Sequence, residues 1–418
     1  METPFSIFSP SLFPSPERPS TTVLANNLDR LSASLICVIS LLIPPGVLRQ
    51  SLVFPTLLYL FYHGRQAAIA GAPNDSYMDY IHLTWTLIRW TDLTLLRTAE
   101  TSVHRTQEPG GTPVETAEDI QKYPIHRKFW WSASLLSQLR GVGWSFRVRN
   151  IVPVDASTTR LSACLSHLLL LVKYTMILDL RDYMTANTAL LTPQTFHSYF
   201  SLPLLHQLIY VWVGVFNTAA QIGLTYHLPA LLAVALHLSP PQTWPPILGP
   251  WSSAYTVRNA WGRLWHQNLR RFFEVSNDTL LKLLRIKRGT LLSKYFQVYV
   301  AFFLSALFHH AGALNVPYCE SVRYQFLFFL LQPVCITIED IAVAFGKKAG
   351  IQDSSFTRVL GYLWTFAAIS FTTRYIAVYL IEMGTFLIPN PILFRFWDRF
   401  MPLLGLPRWM HRVQSRNL

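Results

Sequence analysis

Residues Tyr295–Leu314 read YFQVYVAFFLSALFHHAGAL, an apolar segment with two adjacent histidines set deep inside it. A helix needs about 20 mostly apolar residues to cross the hydrocarbon core of a bilayer. Ionisable side chains within such spans are rare, and they usually face the bundle interior or a water-filled cavity. The segment therefore predicts a transmembrane helix that presents an imidazole to the inside of a bundle.

Only one of the two imidazoles can point squarely into a given pocket. Residues three and four apart share a helix face, so Ser305, His309 and Gly312 form one stripe of small and polar residues. His310 lies about 100° around the axis. The stripe permits close approach by a neighbouring helix or by a substrate. His309 is therefore either a structural histidine or a functional residue. The small flanking residues and a second histidine motif favour a functional role for His309.

The composition of the whole chain is that of a polytopic membrane protein. Of its 418 residues, 51% are hydrophobic and only 14% are charged, whereas soluble domains carry about 25% charged residues. The mean hydropathy is +0.27. The formal charge of +13 would also suit a nucleic-acid-binding protein, but such proteins are rarely this apolar, so we expect a lipid bilayer and no nucleic acid as partner.

Apolar runs predict an all-α, polytopic membrane helical bundle with about seven to nine transmembrane helices. The clearest spans are Leu31–Leu48, Leu161–Leu180, Tyr199–Ala219, Ile222–Leu238, Tyr295–Leu314, Tyr324–Phe345 and Val359–Ile381. Two weaker candidates are Leu52–Tyr62 and Phe386–Leu404. The predicted organisation is a disordered Pro/Ser-rich tail over residues 1–28 and a single integral-membrane domain over residues 29–418.

Two polar regions, about His63–Arg160 and Ser239–Lys294, separate groups of spans. The second is rich in Lys and Arg, which the positive-inside rule places in the cytosol. An even number of crossings must separate the two regions if both face the cytosol. Three predicted spans lie between them, so one of these segments re-enters the membrane or is not a span.

The second histidine motif is RNAWGRLWHQNLRRFF, residues Arg258–Phe273, within the basic polar region. Apolar residues recur at helical spacing opposite cationic ones: Trp261, Trp265, Leu269 and Phe272 against Arg263, His266 and Arg270. The pattern predicts an amphipathic helix in the membrane interface. It is either an anchor or part of a site. Gly262 favours a site, since glycine costs about 1 kcal/mol relative to alanine in a helix and clears space beside His266.

Here the resemblance becomes specific. The stretch WGRLWHQNLR, followed some forty residues later by SALFHHAG, resembles the fungal wax-synthase-like branch of the membrane-bound O-acyltransferase superfamily. That branch carries a [FW]WGRxWHQ-type motif and an SGLxH-type motif in a following span. WPPILGPWSSAYTVRNAW before the first motif and LRGVGWSFRVRN (Leu139–Asn150) are similar to the same branch, so the resemblance covers a motif-bearing core over residues 139–314. Ala260, Leu264 and Ala306 depart from the usual pattern.

The resemblance implies transfer of an acyl group from acyl-CoA to a hydroxyl. It implies that His309, four residues after the serine, is catalytic, and that His266 has an active-site role. We expect substrate or donor binding by Trp261, Arg263, Trp265, Arg270 and Ser305. Arg258, Arg263, Arg270 and Arg271 are candidates to meet either the phosphates of CoA or lipid headgroups.

The chemistry needs a base, because an alcohol is a poor nucleophile until its proton is removed. A neutral imidazole has an ordinary pKa of about 6.5, which suits His309 as the general base. Attack on the thioester creates an oxyanion, for which His266 is a candidate donor. No metal-ligand spacing and no Gly-x-Ser-x-Gly nucleophile elbow appear in the sequence, so we expect no resident cofactor, only acetyl-CoA or another acyl-CoA as co-substrate.

Within this branch, secondary metabolites are frequent acceptors, so we expect an endoplasmic reticulum O-acetyltransferase acting on a terpenoid or meroterpenoid alcohol. A long-chain wax-ester or sterol-ester synthase is the alternative enzyme. A membrane transporter is the alternative of another class, since charges such as Glu339 and Asp340 lie within predicted spans. Those two acids are either members of ion pairs or the lining of a substrate tunnel.

Overall fold

The computed structural model describes residues 20–21, 23–65, 68–69, 73–106, 114–187, 196–314, 316, 321–382 and 396–404. Helices account for most of these residues. Their bounds are α1 Val23–Ser40, α2 Val47–Arg65, α3 Pro73–Thr94, α4 Ala99–Ser102, α5 Ala117–Lys122, α6 Ile125–Ser137, α7 Arg160–Asn187, α8 Phe196–Ser201, α9 Leu204–Ala235, α10 Val257–Asn259, α11 Arg270–Leu283, α12 Leu291–Ala313, α13 Val322–Lys348, α14 Ser355–Glu382 and α15 Phe396–Phe400.

The remaining regular structure is short. A π-helical turn covers Ala260–Leu264, and three 3-10 turns cover Pro241–Thr243, Trp251–Ser253 and Met401–Leu404. Strands β1 (Ser20–Thr21) and β2 (Ala68–Ile69) pair in parallel over two residues. The prediction of an all-α fold is confirmed.

The chain folds as two compact units, each built from two separated stretches of sequence. The first unit comprises Met1–Arg149 and Gln267–Tyr318, and the second comprises Asn150–His266 and Cys319–Leu418. The boundary between His266 and Gln267 falls inside the second histidine motif. The predicted boundary at residue 28 lies within α1, which begins at Val23, and the single domain over residues 29–418 stays a prediction.

In the first unit, α3 is the central helix and packs against α1, α2 and α12. Its buried face contributes Tyr80, Leu83 and Trp90 to a core shared with α1 and α2. The Trp90 indole donates to the Ser40 hydroxyl at 2.8 Å, because a buried indole N–H needs an acceptor. This bond ties α3 to α1, and α3 also packs against α12, which carries His309.

In the second unit, α7 packs along α9, and α14 packs against both α9 and α13. Gly223 of α9 allows the close approach to α7, since a Cβ there would lie 2.3 Å from the Tyr174 ring. Polar groups inside this pair are matched to each other. The Arg181 guanidinium donates to the Asn217 amide oxygen at 2.7 Å.

The two predicted spans Tyr199–Ala219 and Ile222–Leu238 are mostly one continuous helix, α9, so that division is wrong. Asn217, one of the polar residues near the predicted division, faces α7 and pairs with Arg181, and the helix continues through it. Its 32 residues rise about 48 Å at roughly 1.5 Å per residue. Two candidate spans remain between the polar regions, an even number, so the mismatch in parity disappears.

Five helices of the described residues are long and apolar enough to cross a membrane: α7, α9, α12, α13 and α14. Four of them correspond to the predicted spans that start at Leu161, Tyr295, Tyr324 and Val359, and α9 replaces the two that start at Tyr199 and Ile222. The predicted span Leu31–Leu48 instead covers the end of α1 and the start of α2. The protein is an integral membrane protein, as predicted, and seven to nine is an approximate count. The weaker span Leu52–Tyr62 lies within α2, and residues 386–395 of the other weak span lie outside the described residues.

Candidate active site

His309 lies near the end of α12, half-buried, with its imidazole turned towards α3. Its Nδ1 atom is 3.0 Å from the hydroxyl of Tyr77, a residue of α3 that lies 232 positions earlier in the chain. The hydroxyl of a tyrosine can accept or donate, so Tyr77 can orient the imidazole in either of its tautomers.

The small stripe predicted around His309 exists, and its role is close packing of α12 on α3. A Cβ on Gly312 would lie 2.7 Å from Cγ1 of Ile81 and 2.9 Å from Cε2 of Tyr77. Ser305 is buried on the same stripe. Only glycine lets Tyr77 come near enough to meet His309, so the stripe serves the histidine through a neighbouring helix.

The second motif is not an amphipathic helix, so that prediction is wrong. Helix α10 ends at Asn259, a π-helical turn follows over Ala260–Leu264, and Trp265 is extended with φ −69° and ψ 153°. Helix α11 begins only at Arg270. No atom of the described residues lies within 4 Å of the ideal Cβ position of Gly262, so packing does not require a glycine there.

Tertiary contacts explain why helical spacing fails in this motif. The Glu339 carboxylate accepts the backbone N–H groups of Val257 at 2.6 Å and Arg258 at 3.3 Å. The N–H of Gly249 donates to the carbonyl of Leu264 at 2.8 Å. A Cβ at Gly249 would lie 2.0 Å from the Arg263 carbonyl oxygen. Contacts with distant residues therefore fix the π-helical turn, a feature found often at functional sites.

The tryptophans of the motif have separate partners. The Trp261 indole donates to Oε1 of Gln332 at 3.0 Å, and its ring contacts Phe328 with centroids 6.1 Å apart. Trp265 lies across Trp261 at 6.0 Å. The half-buried ring of His266 packs on Trp265 with centroids 5.6 Å apart. An aromatic cluster thus positions His266 within the second unit.

The arginines of the motif divide into paired and exposed groups. Arg258 makes a two-point ion pair with Asp340, 2.7 and 3.3 Å between donor and acceptor atoms, so Asp340 belongs to an ion pair. Arg270 bonds Gln267 at 2.9 Å and Glu274 at 3.1 Å. The Arg263 side chain is exposed.

His309 and His266 belong to different units of the fold. The convergence of the two imidazoles on one cavity stays a prediction, as do the binding roles of Trp261, Arg263, Trp265, Arg270 and Ser305.

Sequence reasoning missed Tyr77 and the partners of Arg271. The Arg271 side chain is buried, pairs with Asp92 at 3.0 Å, and lies over the ring of Phe146 at 4.2 Å. Arg89 lies over the same ring at 4.7 Å. The sequence does contain a hint of this site, because Tyr77, Arg89 and Asp92 are polar residues spaced along one helix, α3. Their polarity alone, however, is equally typical of the polar region between spans in which they were predicted to lie.

The comparisons with known proteins agree on one family. The profile of the "Membrane bound O-acyl transferase family" matches residues 244–331. "Acetyltransferase sirH" of Emericella nidulans is 34% identical over 340 residues, which cover 79% of this chain and 78% of that protein. The chain belongs to the membrane-bound O-acyltransferase family. The predicted resemblance is confirmed.

Further relatives carry the same kind of name. "Acetyltransferase sirH" of Leptosphaeria maculans is 28% identical over 361 residues, covering 83% of this chain and 88% of that protein. "Acetyltransferase ple2" of Rhodocybe pseudopiperita is 32% identical over 251 residues, covering 59% of this chain and 65% of that protein. This membrane-bound O-acyltransferase is therefore an enzyme that transfers an acyl group from a donor to an alcohol acceptor.

Proposed function

We propose that this O-acyltransferase transfers acetyl from acetyl-CoA to a hydroxyl of a terpenoid or meroterpenoid secondary metabolite, with His309 as the general base. The observation that carries the assignment of the base is the contact of 3.0 Å between Nδ1 of His309 and the Tyr77 hydroxyl. The acetyl group follows the names of the relatives, which include sirH, ple2 and "Acetyltransferase eriL" of Hericium erinaceus. The endoplasmic reticulum is the proposed membrane.

The geometry supports the following steps. Nδ1–H of His309 donates to the Tyr77 oxygen, and Nε2 takes the proton of the acceptor alcohol. The alcohol oxygen forms a bond to the thioester carbonyl carbon, and the tetrahedral intermediate collapses by breaking the carbon–sulfur bond. The CoA thiolate leaves and receives the proton from Nε2. His309 is neutral again, and the products are an ester and CoA.

His266 is proposed as a hydrogen-bond donor to the oxyanion. Its support is the resemblance of WGRLWHQNLR to the family motif and the aromatic packing that orients its ring. Loss of such a donor costs about 2.7–4 kcal/mol where it has been measured in a protease. We expect His266→Ala to lower kcat by a factor of about 100 to 1,000 with full-length protein still present in the membrane.

The test of the base compares two neighbouring histidines. His309→Ala should lower the rate of acetyl transfer by a factor of about 100 to 10,000, whereas His310→Ala, the matched control one residue away, should retain most of it. The measurement is ester formation in purified microsomes at equal protein abundance. Ester formation that persists in His309→Ala and fails in His310→Ala would overturn the assignment.

Tyr77→Phe tests the orientation of the base. It removes one oxygen and keeps the packing against Gly312, so we expect kcat to fall by a factor of about 10 and its pH profile to move, with the KM for acetyl-CoA unchanged. A purely structural tyrosine would leave the pH profile in place.

Donor chain length separates this proposal from the wax-ester synthase. Acetyl-CoA and palmitoyl-CoA offered in competition should give the acetyl ester as the main product. A dominant palmitoyl ester would reject the acetyl donor and retain the O-acyltransferase.

A further inference from the structure

A row of residues on α3 leads away from Tyr77 and ends in a buried cationic cluster. Successive members lie three or four positions apart and therefore follow one ridge of the helix: Tyr77, Ile81, Trp85, Arg89 and Asp92. Tyr77 and Ile81 face Gly312, and Trp85 meets the ring of Phe308 edge-on at 6.2 Å. The ridge thus runs along α12 beside His309 and continues beyond it.

The cationic cluster has more guanidinium groups than carboxylates. Arg271 pairs with Asp92 at 3.0 Å, and the same carboxylate is 3.5 Å from Arg97. Within the part of the chain that the structure describes, the hydrogen bonds of Arg89 go only to backbone carbonyls, those of Leu135 at 3.0 Å and Gln138 at 3.4 Å. Glu274, the next acid along α11, is already paired with Arg270 at 3.1 Å. The Asp92 carboxylate therefore lies beside two of the three guanidinium groups, Arg271 and Arg97.

Two of these guanidinium groups are buried with donors unused. Arg89 is 3% exposed and Arg271 is 6% exposed. Nε of Arg89, Nη2 of Arg271 and the indole N–H of Trp85 are buried and have no hydrogen-bond partner among the described residues. Leaving a buried charged donor unmatched costs free energy. A ligand that supplies anionic oxygens would satisfy these donors.

The electrostatics point in the same direction. Burial, together with the nearby charge of Arg271, lowers the pKa of the Arg89 guanidinium to about 9. Burial likewise lowers the pKa of Arg271, in spite of Asp92. The Arg89 guanidinium therefore remains charged at neutral pH, and an anion bound near both arginines would offset the cost of their burial.

The loop at residues 139–150 positions the ring of Phe146, over which Arg89 and Arg271 lie. Gly141 has φ +62°, and a Cβ there would lie 2.5 Å from the Phe146 ring. The glycine lets the Phe146 ring fold back over its own loop and reach Arg89 and Arg271. Cation–π contacts of this kind hold a guanidinium in place without using its N–H donors.

The distance along α3 between Tyr77 and Arg89 matches the length of the pantetheine arm of CoA. Twelve residues from Tyr77 to Arg89 rise about 18 Å at roughly 1.5 Å per residue. The pantetheine arm of a CoA thioester joins its sulfur to the first phosphate through roughly a dozen bonds, or about 16 Å when extended. The distance along α3 from Tyr77 to Arg89 therefore matches the reach of the arm between a thioester at His309 and a phosphate at Arg89.

We propose that Arg89 and Arg271 bind the phosphate groups of the CoA thioester donor, with the pantetheine arm reaching from these arginines to the acetyl group at His309. This proposal rests on the proposed function for the identity of the donor. It places the phosphates with Arg271 and a residue of α3, and it excludes Arg258, whose charge is matched by Asp340.

The test compares donors with and without phosphates. In the purified full-length protein, Arg89→Gln and Arg271→Gln should each raise the KM for acetyl-CoA by about 10- to 100-fold, the loss of one or two charge-assisted hydrogen bonds. Their kcat/KM for S-acetyl-pantetheine, which lacks phosphates, should stay within about twofold of wild type. Arg358→Gln, which removes an exposed arginine paired with Asp353, is the control.

Three outcomes would overturn the proposal. An equal loss with both donors would show that the arginines act on folding, and an unchanged KM for acetyl-CoA would show no phosphate site. A change confined to activation by phosphatidic acid vesicles would assign the site to a lipid phosphate.

Binding of desulfo-CoA, measured by calorimetry, separates this proposal from the proposed function. Arginine-dependent binding in a protein that transfers no acetyl group supports the site and rejects the reaction. Acetyl transfer together with arginine-independent binding retains the reaction and rejects the site.

Discussion

Helix α12 around His309 and the turn before His266 hold their histidines in opposite ways. His309 sits on a continuous helix whose backbone is satisfied internally, and it is oriented by packing against α3, where Gly312 allows contact with Tyr77. The turn over Ala260–Leu264 is held by polar groups from far away in sequence, chiefly the Glu339 carboxylate and the Gly249 amide. The structure around His309 is therefore sensitive to changes in side-chain volume. The turn before His266 is sensitive to the loss of single polar contacts and to any atom added where two backbone segments approach closely.

The largest effect is expected from Gly249→Ala. The new Cβ would lie 2.0 Å from the Arg263 carbonyl oxygen, and backbone cannot yield as a side chain does, so we expect about 3 kcal/mol or more of destabilisation. Gly262→Ala is the matched control, since no described residue places an atom within 4 Å of its Cβ. Thermal unfolding of both variants in detergent measures the difference. Equal unfolding temperatures would show that the approach at Gly249 is unimportant.

Gly312→Ala probes the packed region in the same way. Its Cβ would meet side-chain atoms of Ile81 and Tyr77 at 2.7 and 2.9 Å, which can shift, so we expect about 1–3 kcal/mol and a fall in acetyl transfer as Tyr77 leaves His309. Adding Ile81→Ala should restore part of the activity, because it removes the nearest clashing atoms. If the double variant is no better than Gly312→Ala, then the contact with Ile81 does not limit the approach.

Glu339→Gln tests the polar support of the turn. Gln keeps the shape but has one acceptor oxygen for the N–H groups of Val257, Arg258 and Trp364, which Glu339 accepts at 2.6, 3.3 and 3.1 Å. We expect a loss of about 2 kcal/mol, seen as faster proteolysis near residue 260. Asp353→Asn, an exposed carboxylate on a loop, should leave proteolysis unchanged. Equal cleavage in both variants would contradict the capping role.

The smallest effect is expected at the start of α12. Thr290 caps this helix by accepting the N–H of Ser293 at 3.1 Å, and Thr290→Ala should cost about 1 kcal/mol. The residues around His309 lie more than four turns away, so acetyl transfer should be unchanged. Hydrogen exchange of the first turn of α12 measures the loss. A fall in activity as large as that of Gly312→Ala would show that the two ends of α12 are coupled.

Sequence patterns predict the first region well and the second badly, for a physical reason. The span Tyr295–Leu314 agrees with α12 because bilayer thickness dictates apolar length and the helix satisfies its own backbone. Helical spacing over Arg258–Phe273 is real, yet Glu339 and Gly249 impose a π-helical turn that no local pattern encodes. Tyr77, 232 residues from His309, was beyond any argument from spacing.

The split of the first unit has a consequence for how the protein is made. Its two stretches, Met1–Arg149 and Gln267–Tyr318, are separated in synthesis. At about 5–20 residues per second, the ribosome needs on the order of 10 to 30 seconds to travel from the end of the first stretch to the end of the second. During that interval the nascent chain offers Tyr77, Arg89 and Asp92 without α11 or α12 to cover them. The polar face of α3 therefore stays without its final partners for as long as that interval lasts.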